Sequence, residues 1–242
     1  MLPSLPIYVP LFFGLTALVT LLLFFLTIRN AATQTVRQNA GRITACLLLW
    51  LAIQAVLTFK NVYNTGTDAL PPKIVLFGVM PPIATIIILF ATKKGRTFID
   101  SLPLVNLTCL HIVRIPVEIV LFWLFLNKAI PGLMTFEGRN FDIIAGITAP
   151  LIAWLGFKKA KITRKGILVW NLLCLALLLN IVVNAFLSTP SPLQKFAFDQ
   201  PNIGILYFPF SWLPTFIVPV VLFAHLVSVR RLLYRDDKKS KN

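Results

Sequence analysis

Acidic residues, cysteine and histidine are scarce in this chain. Its 242 residues include 8 Asp and Glu against 23 Lys and Arg, with only 3 Cys and 2 His. Cys46, Cys109 and Cys174 are odd in number, lie inside apolar stretches and lack C-x-x-C spacing, so they predict neither a disulfide framework nor a zinc site. Paired acids, H-E-x-x-H, glycine-rich phosphate loops and G-x-S-x-G are also absent. The sequence therefore leaves open whether the protein is an enzyme.

Apolar residues dominate instead. They make up 57% of the chain, and the mean hydropathy is +0.83. Seven apolar stretches are each near the roughly 20 residues that a helix needs to cross a bilayer. They run over Ile7–Ile28, Ile43–Phe59, Ile74–Thr92, Leu102–Leu126, Phe141–Phe157, Gly166–Ser188 and Ile203–Val229. We predict an all-α polytopic membrane protein, a bundle of seven transmembrane helices.

Basic residues cluster in every second gap between these stretches. One side collects 17 of the 23 Lys and Arg and the other side 5, while Arg114 alone lies inside a stretch. Short cytoplasmic loops retain Lys and Arg, so we place the N-terminus outside and the C-terminus in the cytoplasm. This pattern is typical of an inner or plasma membrane protein. It divides the chain into a transmembrane domain, residues 1–229, and a basic cytoplasmic tail, residues 230–242.

The net charge of +15 follows from this topology. Because the excess lies on the cytoplasmic side, we expect it to attract anionic lipid headgroups there rather than nucleic acid. The partners that we expect are the bilayer and a small-molecule or lipid ligand. The sequence does not predict the oligomeric state.

The most unusual segment lies in the fourth stretch. His111, Arg114 and Glu118 follow one another at helical spacing and share one face. An arginine near the bilayer centre costs at least about 2.5–3.5 kcal/mol, so this face should look into the bundle and have partners. A purely structural alternative is that Arg114 and Glu118, four residues apart, neutralise each other. We favour a functional role.

Polar residues on other helices have similar depths. Counted at about 1.5 Å per residue, several of them lie about 5–15 Å from the outer end. We predict that they form an outward-facing cavity with Arg114 and Glu118 at its floor and Trp50, Trp123, Tyr207 and Trp212 as walls. Arg114 would contact an anion or carbonyl, and Glu118 would be its partner or a proton acceptor. The full set of predicted ligand-binding residues is Arg114, Glu118, His111, Gln54, Asn180, Asn184, Tyr207, Ser211 and Trp50.

The favoured function is binding or translocation of a small molecule through this cavity. The alternatives are an intramembrane enzyme acting on a lipid-soluble substrate and a non-catalytic scaffold subunit, in which Asn and Gln only join helices. We expect no cofactor. Haem ligated by His111 and His225 is disfavoured because their depths, about 20 Å and 7 Å from the cytoplasmic edge, are too different.

The outer loop around Gly138 completes the predicted site. We expect a turn at Gly138 and a cap on the fifth helix from Asn140 or Asp142. A second interpretation makes the loop a lid, with Glu137 and Arg139 at the cavity rim.

Overall fold

A computed structural model describes residues 5–234, and within this range the protein contains helices and connecting turns but no strand. The α-helices, numbered along the chain, are α1 Tyr8–Arg29, α2 Gln34–Gln38, α3 Ala40–Phe59, α4 Met80–Ala91, α5 Lys93–Ser101, α6 Leu104–Leu110, α7 Arg114–Leu126, α8 Ile143–Ile152, α9 Arg164–Ser188 and α10 Val218–Tyr234. Three π-helical segments extend α4, α8 and α10, at Val75–Val79, Ala153–Lys158 and Leu213–Ile217. A 3-10 turn, His111–Val113, joins α6 to α7.

Five continuous helices are long and apolar enough to cross a membrane, and a sixth span is formed if one bent pair is counted as one. The five are Tyr8–Arg29, Ala40–Phe59, Leu104–Leu126, Arg164–Ser188 and Leu213–Tyr234. The bent pair is Val75–Ala91 with Lys93–Ser101, and a shorter apolar helix covers Ile143–Lys158. These helices overlap the seven predicted stretches, but only the five or six meet the length criterion.

The bent pair turns by 95° at Thr92. Thr92 has an extended backbone and its hydroxyl accepts a hydrogen bond from the amide of Gly95, which caps α5. Gly95 lies so close to α4 that a Cβ atom there would be 2.3 Å from the carbonyl oxygen of Leu89. A side chain would therefore push α5 away from α4.

The buried face of α3 includes polar side chains, whereas its exposed face is largely apolar. Gln54 and Thr58 are buried, whereas Leu49 and Val56 are 63% and 52% exposed. Such an arrangement opposes the hydrophobic effect in water, but it suits a helix surrounded by lipid. The helical bundle is thus compatible with a membrane protein.

The last predicted stretch is shorter at its start and longer at its end than expected. Residues 203–212 form turns rather than part of a span, and the helix begins with the π-helical segment at Leu213. Pro209 therefore precedes the helix. At the other end α10 continues to Tyr234, so the first residues of the predicted tail are helical. The rest of that tail lies outside the described residues.

The last span is largely buried, and α1 packs against one side of it. Phe13 of α1 packs against Phe210, and Phe24 packs edge-on against Phe223 of α10, with ring centroids 5.8 Å apart. On its other side α10 contacts α6 and α9. This position brings His225 of α10 towards the polar face of the fourth span.

Candidate functional site

Arg114 lies where the fourth span changes its helical pitch. The 3-10 turn His111–Val113 precedes it, and Pro116 follows in the first turn of α7. Because Pro116 has no amide hydrogen, the carbonyl of Ile112 receives no helical hydrogen bond from that residue. Arg114 itself is only 3% exposed. The prediction that this face looks into the bundle is confirmed by this burial.

The guanidinium of Arg114 binds three protein groups from three other helices or helix ends. Its Nε lies 2.8 Å from Oδ2 of Asp142, its Nη2 donates to the carbonyl of Cys174 at 3.3 Å, and its Nη1 lies 3.3 Å from Nε2 of His225. We considered above that Arg114 and Glu118 neutralise each other, but among the described residues the close ion pair of Arg114 is not with Glu118. Asp142, from the start of α8, forms the close ion pair instead.

Hydrogen bonding determines the tautomer of His225. A guanidinium can only donate, so Nε2 of His225 accepts from Arg114 and the ring proton resides on Nδ1. Nδ1 then donates to Oδ1 of Asn171 at 3.1 Å. The amide of Asn171 is oriented in turn, since its Nδ2 donates to the carbonyl of Ile167. Sequence reasoning missed Asn171, which lies nine residues before Asn180 and therefore on the opposite face of the same helix.

His111 stacks on His225. Their ring centroids are 3.9 Å apart with an interplanar angle of 21°, and Trp170 meets His111 edge-on. The predicted difference in depth is therefore wrong. It counted the fourth span from Phe98, which belongs to the bent helix α5, and it ended the last span at Arg230 instead of Tyr234.

The stacked rings are also unsuited to haem. Two axial imidazoles point their nitrogens at one iron from opposite sides, each about 2 Å away, whereas His111 and His225 lie face to face. Within residues 5–234 no group of three or more His, Cys, Asp or Glu could hold a metal ion. Neither ring nitrogen of His111 has a hydrogen-bond partner in that range.

Asn140 links the carboxylate of Glu118 to the backbone of Asp142. Its Nδ2 donates to Oε1 of Glu118 at 2.6 Å, and its Oδ1 accepts from the backbone amide of Asp142 at 3.1 Å. Oε2 of Glu118 and Oδ1 of Asp142 are buried without a hydrogen-bond partner among the described residues. Asp142 occupies the N-cap position of α8 without a capping side-chain bond, because its carboxylate pairs with Arg114.

The loop that carries Asn140 is held by close backbone packing. A Cβ atom on Gly138 would lie 2.3 Å from the carbonyl oxygen of Gly132. Glu137 and Arg139 are exposed, and Arg139 lies over the ring of Phe196. We predicted that Glu137 and Arg139 lie at the rim of the cavity. Instead, Met134 and Asn140 are the residues of this loop that line the cavity described next.

An apolar cavity of about 230 Å³ adjoins the two carboxylates. It is bounded by the π-helical segments of the third and last spans, by α7 and by the C-terminal half of α9. Its only polar lining residues are Glu118, Asn140, Asp142, Thr189 and Ser191. Arg114 lies behind Asp142 and does not line it. We refer to this space as the carboxylate cavity.

The predicted aromatic walls lie elsewhere. Trp123 packs against Tyr8 and Phe12 of α1, and Trp212 donates to the carbonyl of Leu51. Trp50 donates to the carbonyl of Thr215 and lines a different space. Tyr207 belongs to a small apolar cluster around Tyr63. The walls of the carboxylate cavity are therefore aliphatic for the most part.

Asn180 and Asn184 are also separate from the cavity. Asn180 is exposed and donates to the carbonyl of Arg139, while Asn184 is buried and donates to the carbonyl of Asn180. Of the nine predicted ligand-binding residues, only Glu118 lines the carboxylate cavity. The structure brings Arg114, His111 and Glu118 into one region and separates them from the other six.

Residues 71–233 match the model of a family described as a domain of unknown function, DUF8737. The chain belongs to this family, since the match covers more than half of it. Comparisons with curated proteins and with solved structures found no match. The DUF8737 region contains every residue of the polar cluster described above, from His111 to His225.

A second polar group links α3, which precedes the DUF8737 region, to the last span within it. Tyr63 donates to Oε1 of Gln54 at 2.5 Å, and Thr58 is hydrogen-bonded to Ser211 at 2.8 Å. Burial raises the pKa of Tyr63 to about 12, so its hydroxyl stays protonated and donates. Gln54 and Ser211 thereby join α3 to two turns, the one that follows α3 and the one that precedes the last span. Tyr63 follows the end of α3, and nothing in its local sequence indicated that it would fold back.

The π-helical segments Val75–Val79 and Leu213–Ile217 touch beside this group. A Cβ atom on Gly78 would lie 2.5 Å from Cγ2 of Thr215. On one side of this contact lies the carboxylate cavity, which reaches Val79 and Pro214. On the other side lies a larger cleft of about 910 Å³, which reaches Pro81 and Phe216. We refer to it as the basic-rim cleft.

Proposed function

We propose that this protein crosses a cytoplasmic-type membrane seven times, with its N-terminus outside. The 17 to 5 division of Lys and Arg supports this orientation. The shorter helix Ile143–Lys158 would be the fifth span and Val75–Ala91 the third. In this orientation the carboxylate cavity, which reaches Pro72 and Ser191, lies at the outer end of the bundle.

We further propose that the carboxylate cavity binds a small apolar molecule that carries an ammonium or another N–H donor. One observation carries this proposal: the buried carboxylates of Glu118 and Asp142 both line the cavity, and each retains an oxygen without a hydrogen-bond partner among the described residues. Buried polar groups are nearly always hydrogen-bonded, so these two oxygens indicate a missing donor. The rest of the lining is apolar, as in typical small-ligand sites.

The charge balance selects a cation over an anion. Arg114 contacts Asp142, His225 and the carbonyl of Cys174 and does not line the cavity, so its positive charge does not face a ligand there. Glu118, in contrast, is paired only with the neutral amide of Asn140. A bound ammonium would compensate its charge, as would a proton in the absence of ligand.

Binding is favoured over the scaffold alternative because a scaffold predicts an evenly packed centre. The bundle instead contains the carboxylate cavity and the basic-rim cleft. Binding is also the step that the described geometry supports within the broader class of binding or translocation. Gly78 and Thr215 are in close contact between the carboxylate cavity and the basic-rim cleft. This contact separates the two spaces, so it supports binding rather than passage from one space to the other.

The test is a thermal-shift titration with three ligands that share one tail: octylammonium, octanol and octanoate. Octylammonium should stabilise the parent by about 2.7 kcal/mol at 100 times its Kd, and octanoate should not. Glu118→Gln should lose the response to octylammonium. The control Glu137→Gln removes an exposed acid from the adjacent loop and should respond like the parent. An equal response of Glu118→Gln and the parent would contradict the proposal.

A further inference from the structure

The basic-rim cleft lies at the end of the bundle opposite the carboxylate cavity. It is enclosed by α1, α3, α4 and the last span, and the loop that contains α2 borders its mouth. Its volume of about 910 Å³ is near the upper end of the range for drug-sized ligands, about 300–1,000 Å³. The cleft is therefore large enough for an extended apolar chain.

Polarity changes along the cleft. Its deep end, away from α2 and α5, is apolar and includes Trp50, Pro81 and Phe216. Its mouth carries hydroxyl, amide and cationic groups: Thr33, Thr35, Asn39, Arg42, Lys94 and Thr97. A ligand that fits such a gradient is an amphiphile with an apolar tail and a polar head.

The charge at the mouth has one sign. Arg42 and Lys94 both line the cleft, and no Asp or Glu among residues 5–234 does. Arg42 donates only to Oδ1 of Asn39, at 3.4 Å, within residues 5–234. The nearest acid of α5, Asp100, is already bound by Arg230 through two hydrogen bonds. The mouth therefore presents two cations that nearby described carboxylates do not neutralise.

From this charge and shape we propose that the basic-rim cleft binds one anionic phospholipid of the inner leaflet. Its phosphate contacts Arg42 and Lys94, and one acyl chain lies between α3 and α4 towards Trp50. Anionic lipids are abundant at the cytoplasmic surface and attract Lys and Arg side chains there. The apolar interior selects a lipid over free phosphate, which would leave the deep end of the cleft unfilled.

The experiment uses the full chain in nanodiscs with equal amounts of phosphatidylglycerol and phosphatidylcholine. Native mass spectrometry after release into detergent counts the lipids that remain bound. We expect one retained phosphatidylglycerol, and about tenfold or more weaker retention in the double variant Arg42→Gln with Lys94→Gln. A matched control, Arg37→Gln with Lys93→Gln, removes the same charge from exposed residues that do not line the cleft.

A second variant tests the tail. Thr85 lines the cleft and its hydroxyl bonds only to the carbonyl of Pro81 in its own helix, so Thr85→Trp fills space without breaking a tertiary hydrogen bond. It should release the retained phosphatidylglycerol. The proposal is overturned if both double variants lose lipid equally, if phosphatidylcholine is retained as well as phosphatidylglycerol, or if Thr85→Trp retains the lipid.

Discussion

Arg114 and Asp142 form a buried ion pair between the fourth span and the start of α8, with Nε and Oδ2 2.8 Å apart. Both side chains are less than one-tenth exposed. A pair in this setting is costly to break, because the remaining charge keeps its desolvation penalty and loses its partner. It also positions Asp142 beside Glu118 at the wall of the carboxylate cavity.

The ion pair predicts a strong non-additivity. Arg114→Leu should destabilise the fold by about 3–5 kcal/mol, because it leaves Asp142 buried without a counter-charge. Adding Asp142→Leu should recover most of that loss, since an apolar pair carries no charge to compensate. Denaturant unfolding in detergent of the parent, both single variants and the double variant gives the coupling energy. Additive effects would show that the two side chains do not interact.

The tautomer of His225 is a second prediction. Nitrogen-15 NMR should find the proton on Nδ1, since Nε2 faces a guanidinium that only donates. Asn171→Leu removes the acceptor of that proton and should cost about 1–3 kcal/mol. The control Asn180→Leu alters an exposed side chain of the same helix and should cost less. A proton found on Nε2 in the parent would contradict the arrangement.

The 95° bend between α4 and α5 depends on Gly95. Gly95→Ala should destabilise the protein by about 1–3 kcal/mol, because its Cβ would press on the backbone of Leu89. Gly41→Ala is the matched control, since its Cβ meets nothing within 4 Å. Within α3 that change should be stabilising by about 0.5–1 kcal/mol. Equal shifts in Tm for the two variants would refute the close approach.

The contact between Gly78 and Thr215 allows a rescue experiment. Gly78→Ala should destabilise the protein because its Cβ would lie 2.5 Å from Cγ2 of Thr215. Thr215→Ser removes that methyl group and keeps a hydroxyl that bonds to the carbonyl of Ser211. The double variant should therefore regain much of the stability that Gly78→Ala loses. A rescue that fails in thermal unfolding would place the strain of Gly78→Ala somewhere else.

Hydropathy and spacing predicted the helices better than their ends. The apolar stretches coincide with helices because lipid-facing side chains must be apolar along a whole span. The bend at Thr92 depends on packing between Gly95 and α4, which no window of hydropathy records. It altered the apparent depth of His111 and hid the stacking on His225. The same error made the two histidines look remote.

Helical spacing predicted that His111, Arg114 and Glu118 share a buried face, since that property belongs to one helix. Their partners depend on how separate helices pack. Asp142 carried one signal, because it is one of only 8 acids and lies within an apolar stretch, but capping offered a local explanation. Asn171 and Tyr63 carried none. Spacing within one helix thus indicates which face is buried, and tertiary contacts decide what lies against it.

The central claim, that the carboxylate cavity binds a cationic amphiphile, is tested most directly by locating such a ligand. An anomalous difference map of the protein with 8-bromooctylammonium should show bromine among Leu178, Ile181 and Val182, with the nitrogen in hydrogen-bonding distance of Oε2 of Glu118 or Oδ1 of Asp142. Bromine found only in the basic-rim cleft, or nowhere in the bundle, would contradict the account.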